Sequence, residues 1–238
     1  MFSLASRPDS LQIDPRSSAV LVIDMQNDFG ARGGMFDRAG IDISGIGAAA
    51  TATRRVLRAC RDADIPVVYV KMEHPADLAN AGPKDGPHWI KHRPLRAGEE
   101  VVAPDGSQGR ILVKDTWNTQ ILEELEPQPG DLVVSKHRYS GFFETTLDEV
   151  LRNLGTKYLL VTGCTTSICV ESTVRDAMFR DYTCVVLEDC TAEPLGCDLP
   201  RTNHEASLLN IEMLFGWVSQ STALIDALAR SRTIVSVS

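Results

Sequence analysis

The chain has 238 residues and a formal net charge of −8, with a pI near 5.1. This length suits one α/β domain with a substantial core, and no linker rich in Pro, Gly or Ser divides it, so we expect a single domain over residues 1–238. The acidic balance argues against a nucleic-acid partner or an acidic membrane surface, because binding phosphates requires clustered Lys and Arg. The expected ligand is therefore a small molecule.

The N-terminal residues and the cysteines are typical of a cytoplasmic protein. Residues 1–10 lack the basic and apolar regions of a signal peptide, and no apolar run reaches the length needed to span a membrane. The six cysteines lack C-x-x-C spacing. We therefore predict neither a disulfide framework nor a zinc knuckle.

Apolar strand-like runs alternate with helical patterns along the chain. The predicted strands cover residues 19–23, 66–70, 132–136, 158–162, 184–189 and 216–218. The predicted helices cover residues 45–63, 118–126, 145–154, 169–180 and 203–213. This alternation predicts a parallel sheet of about six strands with helices on both faces.

One long segment, residues 73–110, contains five prolines and little periodicity. An irregular segment of this size inside a compact domain is usually functional or mobile. We expect it to be a lid or a subunit contact that shapes a substrate pocket.

Three of the predicted strands lead into reactive side chains. Asp24 follows the first strand, Lys136 ends another, and Cys169 opens the helix after the strand at 158–162. Ligands bind where the carboxyl ends of parallel strands share one edge of a sheet, so these three side chains are predicted to meet. The N–H groups and dipole at a helix start favour a thiolate over a thiol. The alternative is that Cys169 is a small buried hydrophobic residue.

These residues resemble the isochorismatase-like cysteine hydrolases, whose Asp, Lys and Cys occupy the same three strand ends. The resemblance covers nearly the whole chain, through motifs at residues 23–27, 136–142, 165–173 and 215–218. Within that family the chain looks most like the ureidoacrylate amidohydrolases of pyrimidine breakdown, with biuret and triuret hydrolases as neighbours. The resemblance implies an isochorismatase-like fold and a small ureido or amide substrate. We expect no cofactor and a homo-oligomer, either a dimer or a tetramer.

The resemblance also implies a role for each reactive side chain. Cys169 would attack an amide carbonyl, giving a tetrahedral intermediate and then a thioester-type or carbamoyl enzyme. Asp24 would act as general base and pass the thiol proton to the leaving nitrogen. Lys136 would remain cationic, lowering the pKa of the thiol and keeping Asp24 ionised. The structural alternatives are that Asp24 caps a turn and that Lys136 is a solvated surface residue.

The turn before the nucleophile is the expected oxyanion hole. By resemblance, the backbone N–H groups of Thr165 and Cys169 hold the oxyanion, which is a strong source of catalytic stabilisation. The family also places a cis peptide at the position of Cys164-Thr165. Cys164 is then a residue of the frame and not a second nucleophile.

Residues that follow the acid and the lysine are expected to wall the pocket, with core packing as the alternative. The expected wall residues are Gln26, Asn27, Phe29, Tyr139 and Phe142. The candidates for holding a substrate carboxylate are Arg138, Lys91 and Arg93, and arginine can do so in a bidentate way.

Other functions are weighed against this interpretation. The nicotinamidase branch binds a metal with Asp-x-His and a later His, whereas this chain has Glu73 and His74 with no second His until His88, so no metal is expected. Triuret or biuret remains a competing substrate, because residues 191–200 and the region around His74 depart from the ureidoacrylate pattern. An inactive binding protein is a further alternative. Relatives that hydrolyse isochorismate lack the cysteine at the helix start, so Cys169 favours C–N cleavage.

Overall fold

The computed structural model describes residues 1–235, and residues 236–238 at the end of the predicted domain lie outside this range. The strands are β1 (Phe2–Leu4), β2 (Leu11–Ile13), β3 (Ser18–Ile23), β4 (Val67–Met72), β5 (Glu100–Val102), β6 (Gln108–Arg110), β7 (Leu132–Lys136), β8 (Tyr158–Cys164), β9 (Thr183–Ala192) and β10 (Trp217–Ser219). The α-helices are α1 (Asn27–Gly30), α2 (Met35–Arg38), α3 (Ser44–Arg61), α4 (Pro87–His92), α5 (Leu147–Asn153), α6 (Glu171–Met178), α7 (Asn203–Asn210) and α8 (Ser221–Val235). Within residues 1–235, no helix is both long and apolar enough to cross a membrane.

Six strands form one parallel sheet in the order β10-β9-β8-β3-β4-β7. Successive residues of β3 pack into opposite apolar clusters: Val20 and Val22 on one face, Leu21 and Ile23 on the other. The first cluster includes residues of α3 and α8, and the second includes residues of α5, α6 and α7. A strand covered on both faces needs apolar residues at every position, which explains the unbroken apolar run of β3. The predicted single-domain parallel sheet with helices on both faces is confirmed.

The strand order creates a binding crevice next to β3. From β3 the chain adds β4 and then β7 on one side, and it returns to add β8, β9 and β10 on the other. The direction of winding therefore changes between β3 and β8. Ligands of open parallel sheets bind at the carboxyl ends of the two strands that flank such a switch point.

The helix predicted over residues 118–126 is wrong. The structure has two single 3-10 turns there, Trp117–Thr119 and Glu123–Leu125. Between these turns the backbone runs beside the chain that follows β3: Asn27 N–H donates to the Gln120 carbonyl, and Leu122 N–H donates to the Met25 carbonyl. These tertiary hydrogen bonds take the place of helical ones.

Other helices and strands also differ from the predicted ones, and the sequence pattern does not indicate these differences. The helix expected from residue 169 is preceded by a π-helical turn at Thr166–Val170, and α7 ends in a second such turn at Ile211–Phe215. Helix α8 and the strand pairs β1-β2 and β5-β6 were not predicted. Residues 73–110, expected to be irregular, contain α4 and the β5-β6 pair.

Candidate active site

The predicted acid, lysine and cysteine meet at the carboxyl edge of the sheet. Lys136 Nζ lies 2.8 Å from Asp24 Oδ2 and 3.5 Å from Cys169 Sγ. All three residues are buried, and Cys169 is the most exposed of them, at 7%. One ammonium group therefore contacts both a carboxylate and a thiol in a site that excludes bulk water.

The fold explains why the cation is a lysine with a long side chain. Strand β7 is separated from β3 by β4, and Lys136 pairs in register with Met72 of β4. The side chain of Lys136 passes Met72, with Nζ 3.8 Å from its sulfur, and then reaches Asp24. Nζ also donates to the carbonyl of Arg138 at 3.0 Å. The ammonium is thus fixed by contacts on several sides.

The backbone around β3 and β8 brings Asp24 close to Cys169. Asp24 has a φ of 53°, a left-handed conformation that Asp tolerates better than most residues, and its N–H donates to the Val70 carbonyl at 2.9 Å. Gly163 has a φ of 136°, and a Cβ there would overlap the backbone oxygen of Ile23. Glycine is therefore required where β8 approaches β3.

The turn between β8 and Cys169 has the expected cis peptide at Cys164-Thr165. The Cys164 thiol donates to the Asp24 carbonyl at 3.1 Å, which ties the turn to the end of β3. The Ser167 N–H and hydroxyl both donate to the Glu193 carboxylate. Cys169 is thus carried on a turn held from two sides.

The charges in the site set its resting protonation state. Burial raises the pKa of Asp24, while Lys136 and the Cys169 hydrogen bond oppose the rise. Burial disfavours the ammonium of Lys136, but the charges and hydrogen bonds of Asp24 and Cys169 together outweigh this effect, and the pKa of Lys136 is raised. Burial followed by the charge of Asp24 raises the pKa of the Cys169 thiol, and Lys136 only partly compensates. The expected lowering of the thiol pKa is therefore corrected: the resting sulfur is protonated.

The Cys169 thiol opens into a cavity of about 180 Å³. Most of the described lining side chains are apolar, and they come from α1, α2 and the residues after it, the end of β4, the segment 73–110, the chain after β7, the turn after β8 and the loop 191–200. The lining residues are Phe29, Met35, Phe36, Ile41, Met72, Lys91, His92, Leu95, Tyr139, Thr165, Ile168, Cys169 and Leu195. Two larger grooves lie elsewhere and include none of the three reactive residues.

Comparison with known proteins agrees with this geometry. The family model described as the isochorismatase domain matches residues 18–223. The chain belongs to the isochorismatase family. This is a family of hydrolases.

Solved structures of similar chains support this family assignment. A cysteine hydrolase from Pseudomonas syringae is 26% identical with a TM-score of 0.77, covering 93% of this chain and 96% of that chain. An isochorismatase family protein from Desulfovibrio vulgaris is 28% identical with a TM-score of 0.70, covering 90% and 100%. N-carbamoylsarcosine amidase from Thermoplasma acidophilum is 26% identical with a TM-score of 0.63, covering 86% and 96%.

Of the residues expected to wall the pocket, Phe29 and Tyr139 line the cavity, whereas Gln26, Asn27 and Phe142 do not. Gln26 is fully buried, and its amide donates to the carbonyls of Met72 and Thr119 while accepting from the Met72 N–H. Gln26 therefore holds the end of β4 in place. It does so from outside the described cavity lining.

Asn27 and Phe142 are also turned away from the cavity. Asn27 donates to the Trp117 carbonyl at 2.8 Å and borders one of the other grooves. Phe142 stacks on Tyr182 with ring centroids 5.9 Å apart and lies beneath the Arg180 guanidinium. Aromatic and cation contacts in the second apolar cluster take the place of the expected pocket role.

The three cations that could hold a substrate carboxylate have different surroundings. Arg138 donates to the carbonyls of Asn80 and His137, so its guanidinium is engaged by backbone oxygens. Lys91 and Arg93 are both exposed, but Lys91 lines the cavity and Arg93 lies outside the described lining.

Sequence reasoning missed His92 and several apolar wall residues. His92 follows Lys91 in a segment without periodicity, and only the fold of α4 reveals that both side chains reach the cavity. Within residues 1–235, no group of three or more His, Cys, Asp or Glu side chains is arranged to hold a metal ion.

Proposed function

We propose that the protein is a cysteine-dependent amidohydrolase that cleaves the terminal carbamoyl C–N bond of a small ureido compound, with an acid of the ureidoacrylate type as substrate. The observation that carries this proposal is the contact of one buried ammonium, Lys136, with both the Asp24 carboxylate and the Cys169 sulfur. A proton can pass between Cys169 and Asp24 while Lys136 stabilises negative charge on either group. This is the arrangement of an activated nucleophile with its base.

The geometry supports a two-step reaction. Asp24 accepts the Cys169 proton as the sulfur attacks the ureido carbonyl, and the oxyanion is held by the N–H groups of Thr165 and Cys169. The intermediate collapses when the proton passes from Asp24 to the terminal nitrogen, which leaves as ammonia. Water, deprotonated by Asp24, then attacks the acyl enzyme and releases an N-substituted carbamate and the thiol.

The resting protonation state fits this sequence. Because the Cys169 pKa is raised, the thiolate forms only as its proton moves to Asp24. Lys136 remains an ammonium throughout, because the neighbouring negative charge raises its pKa. Lys136 therefore supplies charge, and Asp24 supplies proton transfer.

A similar protein points to the carbamoyl group. One of the similar solved structures is named an N-carbamoylsarcosine amidase. A carbonyl bonded to nitrogen on both sides is a poor electrophile, so its hydrolysis benefits from preorganised donors and a strong nucleophile. Both elements are part of the proposed site.

The choice between an acidic and a neutral ureido compound depends on Lys91. A ureidoacrylate carries a carboxylate and requires a cation, and Lys91 is the one candidate among the three that lines the described cavity. Triuret or biuret, the second candidate substrate class, carries no carboxylate. The largely apolar walls formed by Phe36, Ile41 and Leu95 leave few partners for the many polar groups of triuret. This favours the acid.

Ammonia release from a panel of ureidoacrylate, triuret, biuret and nicotinamide tests the proposal. Lys91→Gln should raise KM for ureidoacrylate at least about tenfold, because a charged hydrogen bond to the acid is lost. The KM values for triuret and biuret should not change. Arg93→Gln is the matched control, because it removes a nearby exposed cation outside the described lining. It should leave KM unchanged for both the acidic and the neutral ureido compounds. Ready cleavage of nicotinamide without turnover of any ureido compound would overturn the proposal.

A further inference from the structure

A histidine from the segment 73–110 lines the same cavity as the catalytic thiol. His92 ends α4 and is 8% exposed. Its ring is stacked on Tyr139, with centroids 5.7 Å apart, and lies 4.2 Å from the ring of His88. These contacts hold the imidazole in one orientation at the wall of the cavity.

The hydrogen bonds of His92 determine which ring nitrogen carries the proton. Nδ1 lies 2.9 Å from the carbonyl oxygen of His88. A carbonyl oxygen only accepts, so Nδ1 must donate and Nε2 of the neutral ring is an acceptor. Burial lowers the pKa of His92, the His88 carbonyl opposes this, and the charges of Lys136 and Arg138 lower the pKa further. The ring is therefore neutral at pH 7.

His92 differs from the other residues with polar side chains that line the described cavity. The Lys91 ammonium only donates, and the Tyr139 and Thr165 hydroxyls and the Cys169 thiol can all donate. Nε2 can only accept. A carbamoyl NH2 group brings two N–H donors into this space, and a buried donor without an acceptor is costly.

We infer that His92 is a specificity-determining residue whose Nε2 accepts a hydrogen bond from the NH2 group on the reacting carbonyl. This inference rests on the proposed function and adds to it the acyl group that is recognised. The site then selects a carbamoyl or primary amide over an isosteric methyl ketone, because a methyl group leaves Nε2 without a partner.

Alkylation of Cys169 tests this selection without requiring turnover. Iodoacetamide and iodoacetone have nearly the same size and differ in one group, an NH2 or a methyl on the carbonyl. In both reagents the sulfur displaces iodide from the CH2 carbon. Rates of modification are measured by peptide mass spectrometry, and the exposed Cys197 of the same molecule provides the intrinsic reactivity of each reagent.

In the wild-type protein we expect the ratio of the iodoacetamide rate to the iodoacetone rate to be larger at Cys169 than at Cys197. The difference should be at least about tenfold, because one buried hydrogen bond contributes about that factor. His92→Phe keeps an aromatic ring, lacks the acceptor and should abolish this preference. His92→Gln offers an amide oxygen and should restore part of it. His88→Phe is the matched control, because it makes the same change in the neighbouring ring outside the described lining and should keep the preference.

Equal rate ratios at Cys169 in the wild-type protein and in His92→Phe would overturn the inference. Failure of both reagents to modify Cys169 in the wild-type protein would also overturn it, because the cavity would then not admit a carbonyl compound to the thiol. If His92→Phe does not fold, His92→Leu supplies the variant without an acceptor. A lack of ammonia release from every ureido compound would refute the proposed function alone, since alkylation requires no hydrolysis.

Discussion

Replacing Lys136 by Met isolates the contribution of the buried ion pair. Methionine has a similar length and no charge, and it can keep the contact with Met72. At the observed 2.8 Å between Nζ and Asp24 Oδ2, the Coulomb energy is about 6 kcal/mol at an effective dielectric constant of about 20. Desolvation offsets part of this energy, and removing one partner of a buried pair typically costs about 3–5 kcal/mol. We expect Lys136→Met to lose that much free energy of unfolding at pH 7.

Urea unfolding at pH 7 and pH 5 measures this effect. In Lys136→Met, the Asp24 carboxyl has a pKa in the folded state above that in the unfolded state, so stability is lost as pH rises and is partly recovered at pH 5. The double variant Asp24→Asn/Lys136→Met has no lone buried charge and should be more stable at pH 7 than Lys136→Met. All these variants should lose orders of magnitude in kcat, because the three groups act as a unit.

Two results would refute this reasoning. The first is a Lys136→Met protein within about 0.5 kcal/mol of the wild type at pH 7, which is the range of an ordinary surface substitution. The second is a double variant less stable than Lys136→Met. Either result would mean that Asp24 is neutral in the folded protein and that Lys136 does not hold it ionised.

Cys169→Ser should fold normally and lose activity by orders of magnitude in an ammonia-release assay, whereas Cys164→Ala should retain most of its activity; full activity in Cys169→Ser would exclude the proposed nucleophile. Burial lowers the pKa of His88 from 6.5 to about 4, so the unfolded chain binds a proton that the folded chain does not, and stability should fall as pH drops through this window. Urea midpoints of His88→Phe should show a flatter pH dependence. Glu193→Ala removes the acceptor of the Ser167 N–H and should lower kcat more than it changes KM; an unchanged kcat would show that the turn is held without it.

The positions of the three reactive residues could be predicted because they depend on topology alone. Each of these strand ends can be identified without knowledge of any tertiary contact, because an apolar run long enough for a buried strand is easily recognised. One such run is followed directly by Asp24, and another ends at Lys136. Parallel strands then place their carboxyl ends on one edge. The turn before Cys169 could be predicted in the same way, although the helix that carries Cys169 begins one turn earlier than expected.

The cavity walls could not be predicted, because apolar side chains in irregular segments do not differ in sequence from core residues. Phe36 lines the cavity because α2 is fixed by the Asp28 carboxylate, which accepts hydrogen bonds from the N–H groups of Met35 and Leu112. These contacts join parts of the chain that are far apart. Gln26 shows the opposite error: its position beside the acid suggested a pocket role, but its amide fits the end of β4.

The raised pKa of the Cys169 thiol depends on tertiary structure, so it could not be predicted from the sequence. It changes how the thiol is expected to be activated. A helix start and a nearby lysine predict a standing thiolate, whereas burial of the thiol, followed by the charge of Asp24, raises the pKa of Cys169 and leaves the sulfur protonated. In the proposed reaction the sulfur becomes nucleophilic only when its proton has moved to Asp24, a step that becomes favourable as negative charge develops on a bound carbonyl. Reactivity is thereby coupled to occupancy of the cavity. A buried thiol of this kind resists adventitious oxidation, since thiolate character and exposure determine that reaction.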